Sequence, residues 1–386
     1  MVNERDVMFW MISSSVFSKP LSEMQKKYIN ADILNQAFNL ALEHSTPHLF
    51  LPALRQNALT ELCPEILPKA QKAVYFANVN TTLQMEELKK LSFFFEKNRI
   101  QFIVLKGAVL RELYPEPWMR IGCDIDILVK KGDFNNACKL IAEKLNYTIG
   151  KVTSRDVAIT APNGVHIELH FKLINRRAAA SENVLQRVWE ESTPKYENSF
   201  EHVMSDEMFY LFHIAHAAKH FEEGGCGLRP LLDLCFLNQI DNPKRKEILK
   251  EAGLEKFAEI LSVITRERFG KEFANMDELT KKAEDFIIAG RTYGTVKTSA
   301  ITTAIYDGKI EKIRTLLFPD YDKMSLLFPV LKKHKLLLPF LWVYRWFNAV
   351  FEGRARISKD RLKIASKITQ ESIDEAAKLL NDMELI

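Results

Sequence analysis

The chain has 386 residues, 47% hydrophobic and 27% charged, with 54 Lys+Arg against 50 Asp+Glu for a formal net charge of +4. That length accommodates two or three cores, and the composition is that of a folded chain, which excludes a single small module and wholesale disorder. So mild a charge balance does not announce a nucleic-acid binder, so any anion site must be local.

The N-terminus, MVNERDVMFWMISSSVF, lacks an uninterrupted apolar stretch followed by a small-residue cleavage site, and no secretory signal is expected. From residue 1 to about 97 the pattern is helical. Leu88, Leu91 and Phe95 recur at helical spacing, and Asn98 is placed to end that helix. The texture then changes. IQFIVL (100–105) reads as a β-branched strand, AVLRELY (108–114) as helix and DIDILVK (124–130) as a second strand. FNNACKLIAEKLN (134–146) carries a helical stripe with Asp133 as its expected N-cap. Three strands follow, YTIGKV, DVAITA and VHIELHFKL, the last two joined through Pro162, Asn163 and Gly164. From about 182 the chain reads as helical to its end.

Within that tail, residues 336–351 (LLLPFLWVYRWFNAVF) are too short and too interrupted by Pro339, Arg345 and Asn348 to span a bilayer, so a core helix is expected and no stable membrane insertion. Residues 354–368 hold six cationic side chains against one acid, a solvated face or a contact to a polyanion. Cys63, Cys123, Cys138, Cys226 and Cys235 form no CxxC pair, which points to reduced thiols and a cytoplasmic protein. Neither Cys123 nor Cys226 has a neighbouring base that would make it a nucleophile.

The chemistry concentrates in two strands. Alternation puts Asp124 and Asp126 on one face while Ile125, Ile127 and Val129 enter the packing layer. Two carboxylates so close repel each other unless a divalent cation neutralises them, and Mg²⁺ prefers hard oxygen ligands. In VHIELHFK, His166, Glu168, His170 and Lys172 share a polar face, so Glu168 can lie beside the two aspartates in a mixed sheet and complete a site for two cations. The bland alternatives are an edge strand with two solvated acids and a salt-bridged surface stripe around Glu168. Before the pair, LKG offers Gly107 for close backbone approach at a helix start, Lys106 as a point charge, and Arg120 within reach of the same phosphates.

The stretch IVLKGAVLRELYPEPWMRIGCDIDILV followed by VHIELHF resembles the nucleotidyltransferase superfamily with a polymerase-beta-like palm, and within it a poorly characterised bacterial nucleotidyltransferase family. The resemblance implies an α+β fold: a small palm of mixed sheet and helices over 98–175, between an all-helical region over 1–97 and a helical domain over 176–386. It implies Mg²⁺ or Mn²⁺ on Asp124, Asp126 and Glu168, and phosphate contact at Lys106, Gly107 and Ala108. Ala108 stands where many members of the superfamily have serine, so a hydroxyl contact to phosphate is missing. HIAHAAKHFEEGGCGLRPLLDL (213–234) is similar to the helix pair after the palm in that family.

His213, His216 and His220 share a helix face, which leaves zinc, core packing or the wall of a substrate cleft containing His170 as well. Arg229 and Asp233, one turn apart, form an intrahelical pair or orient the acceptor. The expected activity is transfer of a nucleoside monophosphate from a nucleoside triphosphate to a hydroxyl on a small molecule, a protein or a nucleic-acid end. Two alternatives stand beside it: a catalytically silent nucleotide-binding or protein-interaction module, and a membrane-surface or RNA-associated protein acting through the basic C-terminal helices.

Overall fold

The computed structural model describes residues 2–174, 179–270, 276–292, 294–307 and 368–386, together with 318, 321, 324–325, 328–332 and 334–351. Its centre is a seven-stranded mixed sheet in the order β3-β4-β5-β2-β1-β7-β6. The strands are β1 (Phe102–Val104), β2 (Ile125–Val129), β3 (Thr148–Val152), β4 (Asp156–Thr160), β5 (His166–His170), β6 (Ser192–Pro194) and β7 (Glu201–Met204). β1 runs antiparallel to β2, whereas β2 and β5 are parallel. β3, β4 and β5 form the expected meander, with Gly164 at φ 86° in the turn before β5. The architecture is α+β, with helical N- and C-terminal regions.

Period-two alternation explains which side chains go where. Phe102, Ile125, Ile127 and Val129 pack with Ile167 and Leu169 onto Leu91, Phe94 and Phe95 of the helix Ile66–Lys97 and onto the helix Phe134–Leu145. Ile103 and Leu128 point the other way, into a larger core built from both terminal helical regions. β2 is therefore buried on both faces, and an edge strand with solvated acids is ruled out. The prefix and the tail share that larger core. Phe9 meets Phe269 edge-on at 5.4 Å, and Arg268 pairs with Asp6 at 3.0 Å.

Three expectations are corrected. Asp133 occupies the N-cap position, but with φ −92° and ψ −11° its side chain makes no capping bond. The stretch after 182 is not helical throughout: β7 adds a parallel strand beside β1, with Phe102 opposite Glu201, and β6 closes the edge. These strands are too short for alternation to register. They are pinned instead by Glu96, whose carboxylate accepts N–H bonds from Phe200 at 3.0 Å and Glu201 at 2.9 Å. Thirdly, residues 338–351 do form a helix, Leu338–Phe351, yet Leu336, Phe340 and Tyr344 are exposed rather than in a core. Among the described residues no helix is long and apolar enough to cross a membrane. The basic run over 354–368 lies, except for residue 368, outside the described residues.

Candidate active site

The site begins where β1 ends. The Leu105 N–H bonds the Asp126 carbonyl at 3.0 Å, after which the chain turns sharply through Lys106 at φ 43°, ψ −118° into the short helix Gly107–Leu110. A lysine at positive φ outside the left-handed helical well is strained, and such strain collects at functional turns. The helix has four residues, so the expected dipole contribution is small and the turn works through backbone position and the lysine charge. A Cβ on Gly107 would meet Arg120 Nη1 at 3.3 Å, a tight contact with a guanidinium already held by Asp233.

Parallel pairing of β2 with β5 sets Asp126 directly opposite Glu168 and Leu128 opposite His170. The expected convergence of Asp126 and Glu168 is thus a matter of register. Lys106 Nζ donates to Asp126 Oδ1 at 3.2 Å, and His170 Nε2 lies 2.8 Å from the same oxygen. A carboxylate only accepts, so Nε2 carries the hydrogen. Both donors take Oδ1, which leaves Oδ2 to the cleft. His170 has no exposed side-chain surface, and its Nδ1 lies 3.7 Å from Asp156 Oδ2. It is a support beneath the cleft rather than part of its lining. Arg155 reaches Asp156 through Nε at 2.7 Å and Glu168 through Nη2 at 3.9 Å.

A cleft of about 220 Å³ is lined by Lys106, Gly107, Arg120, Asp124, Asp126, Glu168, His213, His216, His220, Arg229 and Asp233, which gathers eleven of the sequence-derived candidates in one place. Ala108 is not among them: it lines a separate chamber. Arg120 is committed. Its Nε and Nη2 donate to Asp233 Oδ1 and Oδ2 at 2.8 and 2.9 Å, and the Tyr114 hydroxyl donates to Oδ1 at 2.9 Å. Asp233 therefore ties the helix Arg229–Leu237 to the loop before β2. The three histidines do not converge as a trio: His213 Nε2 lies 3.3 Å from the Pro230 carbonyl, while His216 and His220 approach each other at 3.1 Å. Among the described residues the group able to hold a metal ion is Asp126, Glu168 and His170, with candidate ligand atoms all within 4.8 Å of one another.

Electrostatics separates the two aspartates. Burial would raise the Asp126 carboxyl, but Lys106 and His170 outweigh it and hold the group well below the usual carboxylate range. Asp124 is pushed up to about 6 by burial and by the charges of Asp126 and Glu168. Burial also keeps His213 and His216 neutral, and lifts the Cys226 thiol to about 12, far from a working nucleophile. The donor set fits a hard divalent cation: Asp126 and Glu168 belong to the group able to hold a metal ion, and Asp126 keeps an uncommitted oxygen. Asp124 stands in the same cleft outside that group with its charge short of compensation, and the fourth cleft carboxylate, Asp233, is taken by Arg120 and Tyr114.

A family model described as an uncharacterised nucleotidyltransferase matches residues 34–270, well over half of the chain. The chain belongs to that nucleotidyltransferase family. No curated protein matches it. In this nucleotidyltransferase the matched span contains the whole sheet and nearly the entire cleft, and family membership supports nucleotidyl transfer as the activity.

Sequence reading of this nucleotidyltransferase missed several cleft residues. Arg155 sits in a turn with no periodic signal, and only the β4–β5 pairing carries it to Glu168. Thr292 enters from beyond the matched span, its hydroxyl bonded to the Glu43 carbonyl at 3.2 Å. Just before Arg229, Gly225 touches Gly290 so closely that a Cβ would lie 2.5 Å from the Gly290 carbonyl oxygen. This contact seats the cleft wall on the C-terminal helices.

Proposed function

We propose that the protein transfers a nucleoside monophosphate from a nucleoside triphosphate to a hydroxyl acceptor. The acceptor oxygen attacks the α-phosphorus, the bond to the β-phosphate bridging oxygen breaks, and pyrophosphate leaves. When bound, a pair of Mg²⁺ or Mn²⁺ ions on Asp124, Asp126 and Glu168 would neutralise phosphate charge and acidify the acceptor hydroxyl.

The remaining work falls to the chain. Lys106, at the turn, and Arg229, across the cleft, face the triphosphate and offset charge that builds on the leaving pyrophosphate. Glu168 keeps a third of its side chain open, against 7% for Asp126, and is placed to take the acceptor proton. Arg155 holds Glu168 in that orientation. Arg120, paired with Asp233, acts as a support that fixes the Gly107 turn against the helix Arg229–Leu237. His213, His216 and His220, two of them kept neutral by burial, wall the acceptor side.

The observation that carries this reading is the register that places Asp126 beside Glu168, with Asp124 heading the same strand into the cleft. The test is incubation of the chain with labelled nucleoside triphosphates, Mg²⁺ or Mn²⁺ and a cell extract, alongside Asp126→Asn. Label transfer with pyrophosphate release, lowered about a hundredfold or more in the variant, is expected. Triphosphate binding without transfer would make the protein a silent nucleotide-binding module, and equal transfer by both proteins would remove the aspartates from the chemistry.

A further inference from the structure

The chamber lined by Ala108 is distinct from the active cleft and has a volume of about 710 Å³. Its wall includes Val104 and Ile125, and Ile125 points to the opposite face of the sheet from Asp126. Met85, Leu88, Met204 and Phe209 extend the apolar part of the wall, beside a set of polar and charged groups.

One cation is sunk into this apolar wall. Arg111 is 3% exposed; its Nε donates to the Gly107 carbonyl at 3.2 Å and its Nη2 to Gln84 Oε1 at 2.7 Å. Among the described residues, Nη1 has no hydrogen-bond partner and no carboxylate comes within ion-pair distance of the guanidinium. Burial draws Arg111 down to about 10, the mark of a charge without adequate compensation. The other charges around the chamber are spoken for or stand at its mouth. Glu201 pairs with Lys195 at 2.8 Å, Asp206 pairs with Arg245, and Lys89 and Glu112 are exposed. His202 faces Gln101 at 3.2 Å.

A buried charge is costly until a counter-charge reaches it. A chamber of this size, with a mainly apolar wall and a buried cation set among polar groups that are paired or stand at its mouth, has the make-up of a small-molecule site. We propose that it binds an amphipathic anion: an apolar body in the chamber and a carboxylate or phosphate headgroup on the open Nη1 edge of Arg111.

The test is isothermal titration of the full chain with decanoate, decyl phosphate and decanol. At least one anion is expected to bind with one molecule per chain, about tenfold or more tighter than the neutral alcohol, as a charge-assisted bond requires; whichever anion prevails identifies the headgroup. Arg111→Gln is expected to bring that anion down to the level of the alcohol. Met85→Trp, at the half-exposed mouth, is expected to block all three ligands and remains decisive should the buried arginine prove necessary for folding. Equal binding of anions and alcohol, an anion preference that survives Arg111→Gln, binding that survives Met85→Trp, or no binding of either anion would overturn the proposal.

Discussion

Asp124 offers the sharpest test of the charge argument. Its carboxyl rises from 3.8 to about 6 in the folded chain, through burial first and then the neighbouring charges of Asp126 and Glu168. A group with a raised folded pKa contributes its full stability below the unfolded value and loses it as pH climbs through the folded value. Without metal, wild type should therefore lose stability between about pH 4 and pH 7. A gap of roughly two pH units amounts to about 3 kcal/mol. Asp124→Asn keeps the shape and removes the charge. In EDTA the variant should match wild type near pH 4 and exceed its stability by about 3 kcal/mol at pH 7.5, read by urea unfolding at both pH values. Asp126 does not interfere, since its depressed carboxyl contributes stability that is lost only as pH falls below the ordinary carboxylate range. Adding Mg²⁺ at pH 7.5 should stabilise wild type and leave the variant nearly unchanged. A stability gap of the same size at pH 4 and pH 7.5, or a variant weaker than wild type at the higher pH, would refute the reasoning.

Two further outcomes follow from the turn and its support. Asp233→Ala strands Arg120 in a buried site and should cost about 3–5 kcal/mol, much of it recovered when Arg120→Met is added; urea midpoints of the single and double variants check this, and a loss under about 1 kcal/mol would mean the pair is solvated. Lys106→Gly and Lys106→Met both remove the ammonium group, but only glycine relieves the positive φ. Thermal melts should place the glycine variant higher by about 1–2 kcal/mol, with triphosphate affinity weakened equally in both, and a methionine variant at least as stable would show the turn unstrained.

What could be read from the sequence was whatever is written in local spacing. Alternation assigned Ile125, Ile127 and Val129 to the packing layer and the acids to the opposite face, and the same rule placed His166, Glu168 and His170 on one stripe. It could not say how deep a residue on the stripe would lie. His170 proved to be beneath the cleft, bonded to Asp126, because β2 flanks its strand on one side and β4 on the other. Nor could it choose a partner for Arg120: Asp233 stands 113 residues away, and nothing in either local pattern names the other. β7 escaped for a similar reason, since Glu96 on a helix supplies the acceptor that anchors its start.

These long-range ties share one consequence for the site. Asp233 binds Arg120 and Tyr114, Gly225 abuts Gly290, and Thr292 reaches Glu43, so the wall carrying Arg229 is tied to the turn before β2 and to both terminal helical regions. The acids and Lys106 come from β2, β5 and the end of β1, whose register is set by the sheet, whereas Arg229 comes from a helix outside the sheet that tertiary bonds hold in place. The spacing between the carboxylates should therefore be the most rigid dimension of the cleft, and the distance from them to Arg229 the one that a bound triphosphate adjusts.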